Sequence, residues 1–152
     1  MVMSQITQII DAIGNVSVNT LSKTPKVYSL DNASNSVKGT PARVVFPMQT
    51  GDNDGDMVAV TLGGVVVVRW ELADLMLFAP IKNGSTLQAS LPELVTYVGN
   101  YITQFKAQLK LGLKQVTIES IDYEWNQFVF PEGTKNEYYG VLMMLTVKEI
   151  VE

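Results

Sequence analysis

A pair of adjacent glycines lies between two apolar stretches near the middle of this chain. Residues 57–62 have the composition of a strand, Gly63 and Gly64 follow, and residues 65–68 are four consecutive valines. Adjacent glycines readily adopt the positive φ angles that a two-residue β-turn requires, so the pattern predicts a β-hairpin. A return strand that continued to residue 78 would exceed the usual strand length. We therefore expect a bulge or bend near residues 71–74.

Other segments also have strand-type composition, and the last of them is apolar on both faces. A strand of that kind is either central in its sheet or covered by a neighbouring subunit. The polar residues 31–40 and 49–56 are predicted to be loops, and the first of these is expected to be mobile. The additional predicted strands are residues 26–30, 43–46, 115–123, 127–130 and 138–151.

Two amphipathic helices are predicted. The short one follows Ser4 and has isoleucines at helical spacing up to Ile13, and Gly14 and Asn15 end it. The long one begins at Ser90, which forms a capping-box pattern with Glu93. We expect the long helix to end near Gly112 and Gly99 to pack closely against another backbone. Its predicted apolar stripe is Leu94, Val98, Ile102, Phe105 and Leu109.

These elements predict an α+β fold, an antiparallel or mixed β-sheet flanked by one long and one short helix. The length of 152 residues fits a single domain. The longest apolar run, the four valines, is far too short to cross a bilayer, and the start of the chain lacks the pattern of an export signal. We expect no membrane association.

Composition removes the usual tools of catalysis, because the chain contains no cysteine and no histidine. Thiolate nucleophiles, imidazole bases and the common transition-metal ligands are therefore absent. The formal net charge of −4 disfavours sequence-specific binding of nucleic acid, which normally requires a basic patch. We predict neither enzymatic activity nor a cofactor.

The acidic cluster Asp52, Asp54 and Asp56 resembles a calcium loop in composition alone. If Gly55 held the sixth position of such a loop, Thr50 and Thr61 would hold the first and twelfth positions, where carboxylates are required. We predict a solvated loop that projects from the end of the sheet and belongs to an interface.

Carboxylates also occur at Glu119, Asp122 and Glu124, close to Trp125. Paired carboxylates can hydrolyse glycosides, but this spacing on a strand is typical of a solvent-facing surface. A set of aromatic residues could stack on sugars or bases, although packing in a core or an interface is the more common role. That set is Tyr97, Tyr101, Trp125, Tyr138 and Tyr139, and the last two are also candidate interface residues.

The order of elements resembles the tail terminator proteins of long-tailed bacteriophages. The resemblance covers the chain from about residue 65 to its end, with the short helix also in its expected place. The residues that carry it are the strand 65–72 with Trp70, its extension 75–78, the opening Ser90-Leu91-Pro92-Glu93, the helix with Tyr97, Tyr101 and Phe105, the strand 116–123, and the ending 138–147.

The resemblance implies a ring, usually a homohexamer, that caps the tail tube, ends its polymerisation and receives the head connector protein. DNA would pass through without specific binding, which suits a negatively charged chain. The expected location is the tail or neck of the virion, after assembly in the host cytoplasm. The alternatives are another neck or tail-completion protein, or a small β-rich module that binds a ligand or carbohydrate through Trp125 and the tyrosines.

Overall fold

The described part of the chain folds into one mixed β-sheet with two helices. The computed structural model describes residues 5–28, 39–48, 59–82, 84–131 and 134–151. This architecture confirms the predicted α+β class. In chain order the elements are α1 (Ile6–Asn15), β1 (Lys26–Tyr28), β2 (Ala42–Pro47), β3 (Ala59–Leu62), β4 (Val65–Pro80), α2 (Leu87–Lys106), β5 (Val116–Val129) and β6 (Glu137–Val151).

The sheet is organised around the long antiparallel pair β4 and β6. Five strands follow the order β1-β2-β4-β6-β5, and β3 pairs with the first residues of β4. Only β1 and β2 run parallel, and every other pairing is antiparallel. Of the two alternatives for the last strand, the structure shows the central place, because β6 lies between β4 and β5.

The predicted hairpin is also confirmed. Gly63 and Gly64 have φ angles of 57° and 86° and connect β3 to β4. The predicted bend at residues 71–74 is wrong, because the pairing of β4 with β6 continues without a register shift from Val66 to Leu77. The irregularity lies between Leu77 and Ala79. Beside it is Gly140, where an added Cβ would lie 2.1 Å from the Met76 carbonyl oxygen, so only glycine permits this close approach.

Both helices pack on the same face of the sheet. Ile9 and Ile13 of α1 and Leu94 and Phe105 of α2 belong to one apolar core with side chains of β4, β5 and β6. The opposite face has a smaller apolar cluster, which contains Leu75, Leu77 and Tyr138 with half-buried neighbours. We call this second surface the helix-free face, because neither of the two described helices contributes to its cluster.

The long helix begins one turn earlier than predicted. Thr86 is its N-cap and its hydroxyl accepts a hydrogen bond from the Ala89 amide, whereas Ser90 is buried inside the helix. The predicted capping box is therefore wrong, and Glu93 accepts hydrogen bonds from Ser22 instead. Pro92 is accommodated within the helix.

The predicted apolar stripe of this helix is only partly right. Leu94, Val98 and Phe105 are buried, but Ile102 is 46% exposed, and Leu109 lies beyond the end of the helix at Lys106. The buried positions that the stripe omitted are Tyr97 and Tyr101. Tyr97, Tyr101 and Phe105 are four residues apart, so their side chains lie on one face of the helix, the face that packs on the sheet.

Two smaller predictions are also wrong. No atom lies within 4 Å of a Cβ built on Gly99, so this glycine makes no close backbone contact within the described residues. The predicted break between residues 123 and 127 is absent, because β5 pairs with β6 throughout that stretch.

Candidate functional site

A salt bridge lies at the centre of the sheet, within the core. Arg43 of β2 and Asp74 of β4 have side chains that are 1% and 0% exposed, and their closest nitrogen and oxygen atoms are 2.6 Å apart. The Arg43 Nε atom also donates to both oxygens of the carboxylate, at 2.9 and 3.0 Å. A buried charge costs several kcal/mol unless it is paired, so each residue depends on the other.

This pair connects both helices to the sheet. The guanidinium of Arg43 donates to the carbonyl oxygens of Ile13 and Val16 at the C-terminal end of α1. The Tyr101 hydroxyl of α2 donates to Asp74 Oδ2 at 2.7 Å. We call Arg43, Asp74 and Tyr101 the buried network.

The surroundings of Arg43 and Tyr101 shift the pKa values of these two residues. Burial disfavours the charged guanidinium of Arg43, but the charge of Asp74 and its hydrogen bonds outweigh that cost and raise the pKa of Arg43 above its ordinary value. Burial also raises the pKa of Tyr101, and the negative charge of Asp74 acts in the same direction. At neutral pH Arg43 therefore stays charged and Tyr101 stays neutral.

A second buried carboxylate holds the other end of α1. Glu149 of β6 is 1% exposed and accepts from the backbone amide of Gln5 at 2.6 Å and from the Trp70 indole at 3.0 Å. A carboxylate at the N-terminus of a helix and a guanidinium at its C-terminus both complement the helix dipole. Glu149 and Arg43 thus fix α1 on the sheet from both ends.

The buried network holds the fold together and offers little to a substrate. Each guanidinium nitrogen of Arg43 donates a hydrogen bond, and neither partner is accessible to solvent. Tyr97 is different, because its buried hydroxyl has no hydrogen-bond partner within the described part of the chain. Tyr97 belongs to the apolar core, and burial together with the negative charge of Asp74 raises the pKa of its hydroxyl.

The candidate interface residues have different outcomes. Asp52, Asp54 and Asp56 lie outside the described residues, so their interface role stays a prediction. Tyr138 and Tyr139 are 9% and 4% exposed. Tyr138 packs in the cluster on the helix-free face, and the Tyr139 hydroxyl donates to the Ser85 carbonyl at 3.1 Å. Their part in an interface between molecules also stays a prediction.

The aromatic set is not brought together as one surface. Tyr97 and Tyr101 are fully buried, with ring centroids 5.9 Å apart, and Tyr101 stacks on Phe105 at 4.3 Å. Trp125 is half-buried on β5, and its ring centroid lies 5.2 Å from that of the exposed Tyr123. Tyr123 and Trp125 thus form an accessible aromatic pair on β5 that is separate from the buried Tyr97 and Tyr101.

The carboxylates of β5 lie where the sequence placed them. Glu119, Asp122 and Glu124 are all exposed, and Glu119 accepts from Arg69 Nε at 2.7 Å across the sheet. Among the residues that the structure describes, no group of three or more potential ligands is arranged to hold a metal ion. In the same residues, no helix is long and apolar enough to cross a membrane.

The four valines form an apolar surface at one end of the sheet. Val65, Val66, Val67 and Val68 are all half-buried, whereas β4 is buried on both faces from Leu72 to Leu77. Consecutive residues of a strand point to opposite faces, so apolar surface is accessible on both sides. We call residues 65–68 the hairpin tip.

Sequence reasoning missed the buried network, although the sequence contained a signal for it. Arg43 and Asp74 are single charges of opposite sign within two otherwise apolar strand segments. Such charges are almost never buried unless they are paired, so the two residues could have been matched with each other. Asp74 was interpreted as part of a bend instead.

Comparison with known proteins adds no relative to this description. No protein-family model matches the chain, and no curated protein matches it.

Proposed function

We propose that the protein is a structural component of the tail end of a long-tailed bacteriophage. In this role a homohexameric ring docks on the last ring of the tail tube protein and blocks further addition. Its other face receives the head connector protein. The work is done by binding surfaces, so the proposal includes no reaction, cofactor or membrane.

The observation that carries the proposal is the hairpin tip on a rigid sheet. Val65 and Val67 lie on the helix-free face, because they alternate in register with Leu75 and Leu77. Neither helix packs over that face, and both valines remain half-exposed. Continuous pairing of β4 with β6 fixes the tip relative to the core, and apolar surface of this kind is typical of a contact with another protein.

The charge of the chain supports the same role. A lumen for DNA must not bind phosphate, and the formal net charge of −4 opposes such binding. The tail or neck of the virion is the proposed location, after assembly in the host cytoplasm. The order of strands and helices that resembles tail terminators is the further support.

A phage that lacks this protein provides the test. We expect its tails to have abnormal lengths and to remain without heads in electron micrographs, and the wild-type gene to restore infectious particles. The double variant Val65→Thr, Val67→Thr keeps β-branched side chains but weakens the apolar contact. It should fold and complement poorly.

The matched control is the double variant Val65→Ile, Val67→Ile, which keeps the tip apolar and should complement. Replacement of Asp52, Asp54 and Asp56 by Asn tests the predicted loop interface in the same assay. Tails of normal length joined to heads in the phage without this protein would contradict the proposed function. A phage that loses only head attachment would point to another neck protein.

A further inference from the structure

The sheet ends in an unpaired strand on each side. β5 is the last strand at one end and β1 the last at the other, and no described strand pairs with their outer edges. Every second residue of an edge strand presents its backbone N–H and C=O outward, which is a template for pairing with another chain. β5 is long, from Val116 to Val129. The turn before β5 occupies one hydrogen-bonding position on its outer edge, because the Ile118 amide donates to the Leu109 carbonyl oxygen at 2.7 Å.

The large exposed apolar side chains gather at these same two ends. Leu21 and Val27 lie in or before β1, where they are 62% and 42% exposed. Tyr123 and Val129 lie on β5, and Leu109 lies in the turn that bonds to it. Exposed apolar side chains that cluster in this way mark a surface that another molecule covers.

Two more exposed apolar residues lie on α2, and its contacts show which way they point. Glu93 and Asn100 bond to residues 19–22, the segment that leads to β1. Val95 and Ile102 lie on the opposite flank of the helix, because each is two residues from one of those positions at about 100° per residue. This flank is turned toward the β5 end.

Asp122 and Glu124 on β5 and Lys23 and Lys26 at the β1 end are exposed charges of opposite sign, whereas Glu93 beside Ser22 and the lysines at 110 and 114 in the turn before β5 have the reverse sign. From residue 115 to 134 the chain contains acidic residues and no lysine or arginine, and Asp122 and Glu124 are exposed on β5. From residue 12 to 30 it contains Lys23 and Lys26, both exposed, and no acidic residue. Two copies of β5 would repel each other, whereas β5 of one copy and β1 of another are complementary.

We infer that copies of this chain associate head to tail, with the β5 end of one copy against the β1 end of the next. Such a contact uses two different surfaces on each copy, so it closes into a ring when the rotation between neighbours permits closure. These two surfaces would join the subunits of the proposed ring. The head-to-tail contact stands without the proposed function, and only the closure of the ring rests on it. Apolar side chains lie at the contact, and the charges select the partner edge.

Charge exchange tests this contact in the purified protein. One double variant is Asp122→Lys, Glu124→Lys and the other is Lys23→Glu, Lys26→Glu. Each puts like charges on both ends, so self-association measured by sedimentation velocity should weaken by at least about tenfold. An equimolar mixture of the two variants restores opposite charges at every contact and should recover the wild-type mass. A single chain with all four changes should also recover it.

The control is Lys82→Glu, which makes the same lysine-to-glutamate change at an exposed site after β4, outside the two ends. It should associate like the wild type. Circular dichroism should show all variants folded, since the changed side chains are exposed.

The inference is overturned if the wild type is a monomer at every concentration, if either double variant keeps the wild-type mass, or if the mixture stays monomeric. These outcomes are separate from those for the proposed function. Recovery by the mixture together with normal tails in a phage without this protein would support the contact and contradict the function. Abnormal tails with an unaffected charge-exchange series would do the reverse.

Discussion

The centre of the sheet and its β5 end contain the same kinds of side chain in opposite surroundings. At the centre, Asp74 is fully buried and bonds to Arg43 and Tyr101. At the β5 end, Asp122 and Glu124 are exposed, and their carboxylates accept hydrogen bonds from Tyr123 and Asn126 of the same strand. Asp74 therefore stabilises the fold, whereas Asp122 and Glu124 remain accessible to another molecule.

The difference has an energetic reason. A buried charge loses its hydration and is tolerated only because its partner and hydrogen bonds replace it, so it cannot be given up without loss of the fold. An exposed charge contributes little to stability, and it is therefore free to select among partners. Substitutions at the centre should consequently change stability, and substitutions at the β5 end should change association.

The largest expected effect comes from a charge placed in the core. Phe105→Asp introduces an unpaired carboxylate beside Tyr101, at a cost of several kcal/mol, and should abolish soluble folded protein. The control is Ile102→Asp, three residues earlier on the exposed flank of the same helix, which should fold. Expression in the soluble fraction and circular dichroism measure the outcome. A Phe105→Asp protein with an unchanged melting temperature would contradict the assignment of this residue to the core.

The next effect comes from breaking the buried salt bridge. Asp74→Ala leaves the Arg43 guanidinium buried without its partner, and we expect a loss of about 3–5 kcal/mol in the free energy of unfolding. The matched change at the β5 end, Glu124→Ala, should stay within about 0.5 kcal/mol of the wild type. Urea unfolding of the two variants compares them directly. Equal losses would show that the two regions do not differ as described.

The smallest effect separates two buried tyrosines. Tyr101→Phe removes a hydrogen bond to the Asp74 carboxylate and should cost about 1.5–3 kcal/mol. Tyr97→Phe removes a buried hydroxyl that has no partner among the described residues, so it should be neutral or stabilising. A comparable loss in both variants, seen by thermal unfolding, would mean that the Tyr97 hydroxyl is bonded in solution.

Local patterns were sufficient to predict some parts of this fold. The glycine pair at residues 63 and 64 defines its turn through backbone angles that few other residues adopt, and the isoleucines of α1 repeat at helical spacing. The start of α2 was misplaced because Ser90, the predicted cap, lies one turn after Thr86, the observed cap, and the sequence does not show which of the two hydroxyls meets a free amide.

The buried network could not be predicted from local patterns, because its members come from strands and helices far apart in the chain. Arg43 and Asp74 are separated by 31 residues, and Tyr101 follows Asp74 by 27. Their pairing depends on β2 lying beside β4 and on α2 packing over β4, β5 and β6. The charge difference between the two ends was present in the sequence, but its meaning depends on the strand order that places β1 and β5 at opposite ends.

The central claim is that this protein caps a growing tail tube. Purified protein added to polymerising tail tube protein tests it most directly, with tube lengths and tube ends measured by negative-stain electron microscopy. The account predicts that elongation stops and that one end of each tube carries a ring with a central hole. Tubes that elongate at the same rate with bare ends would contradict it.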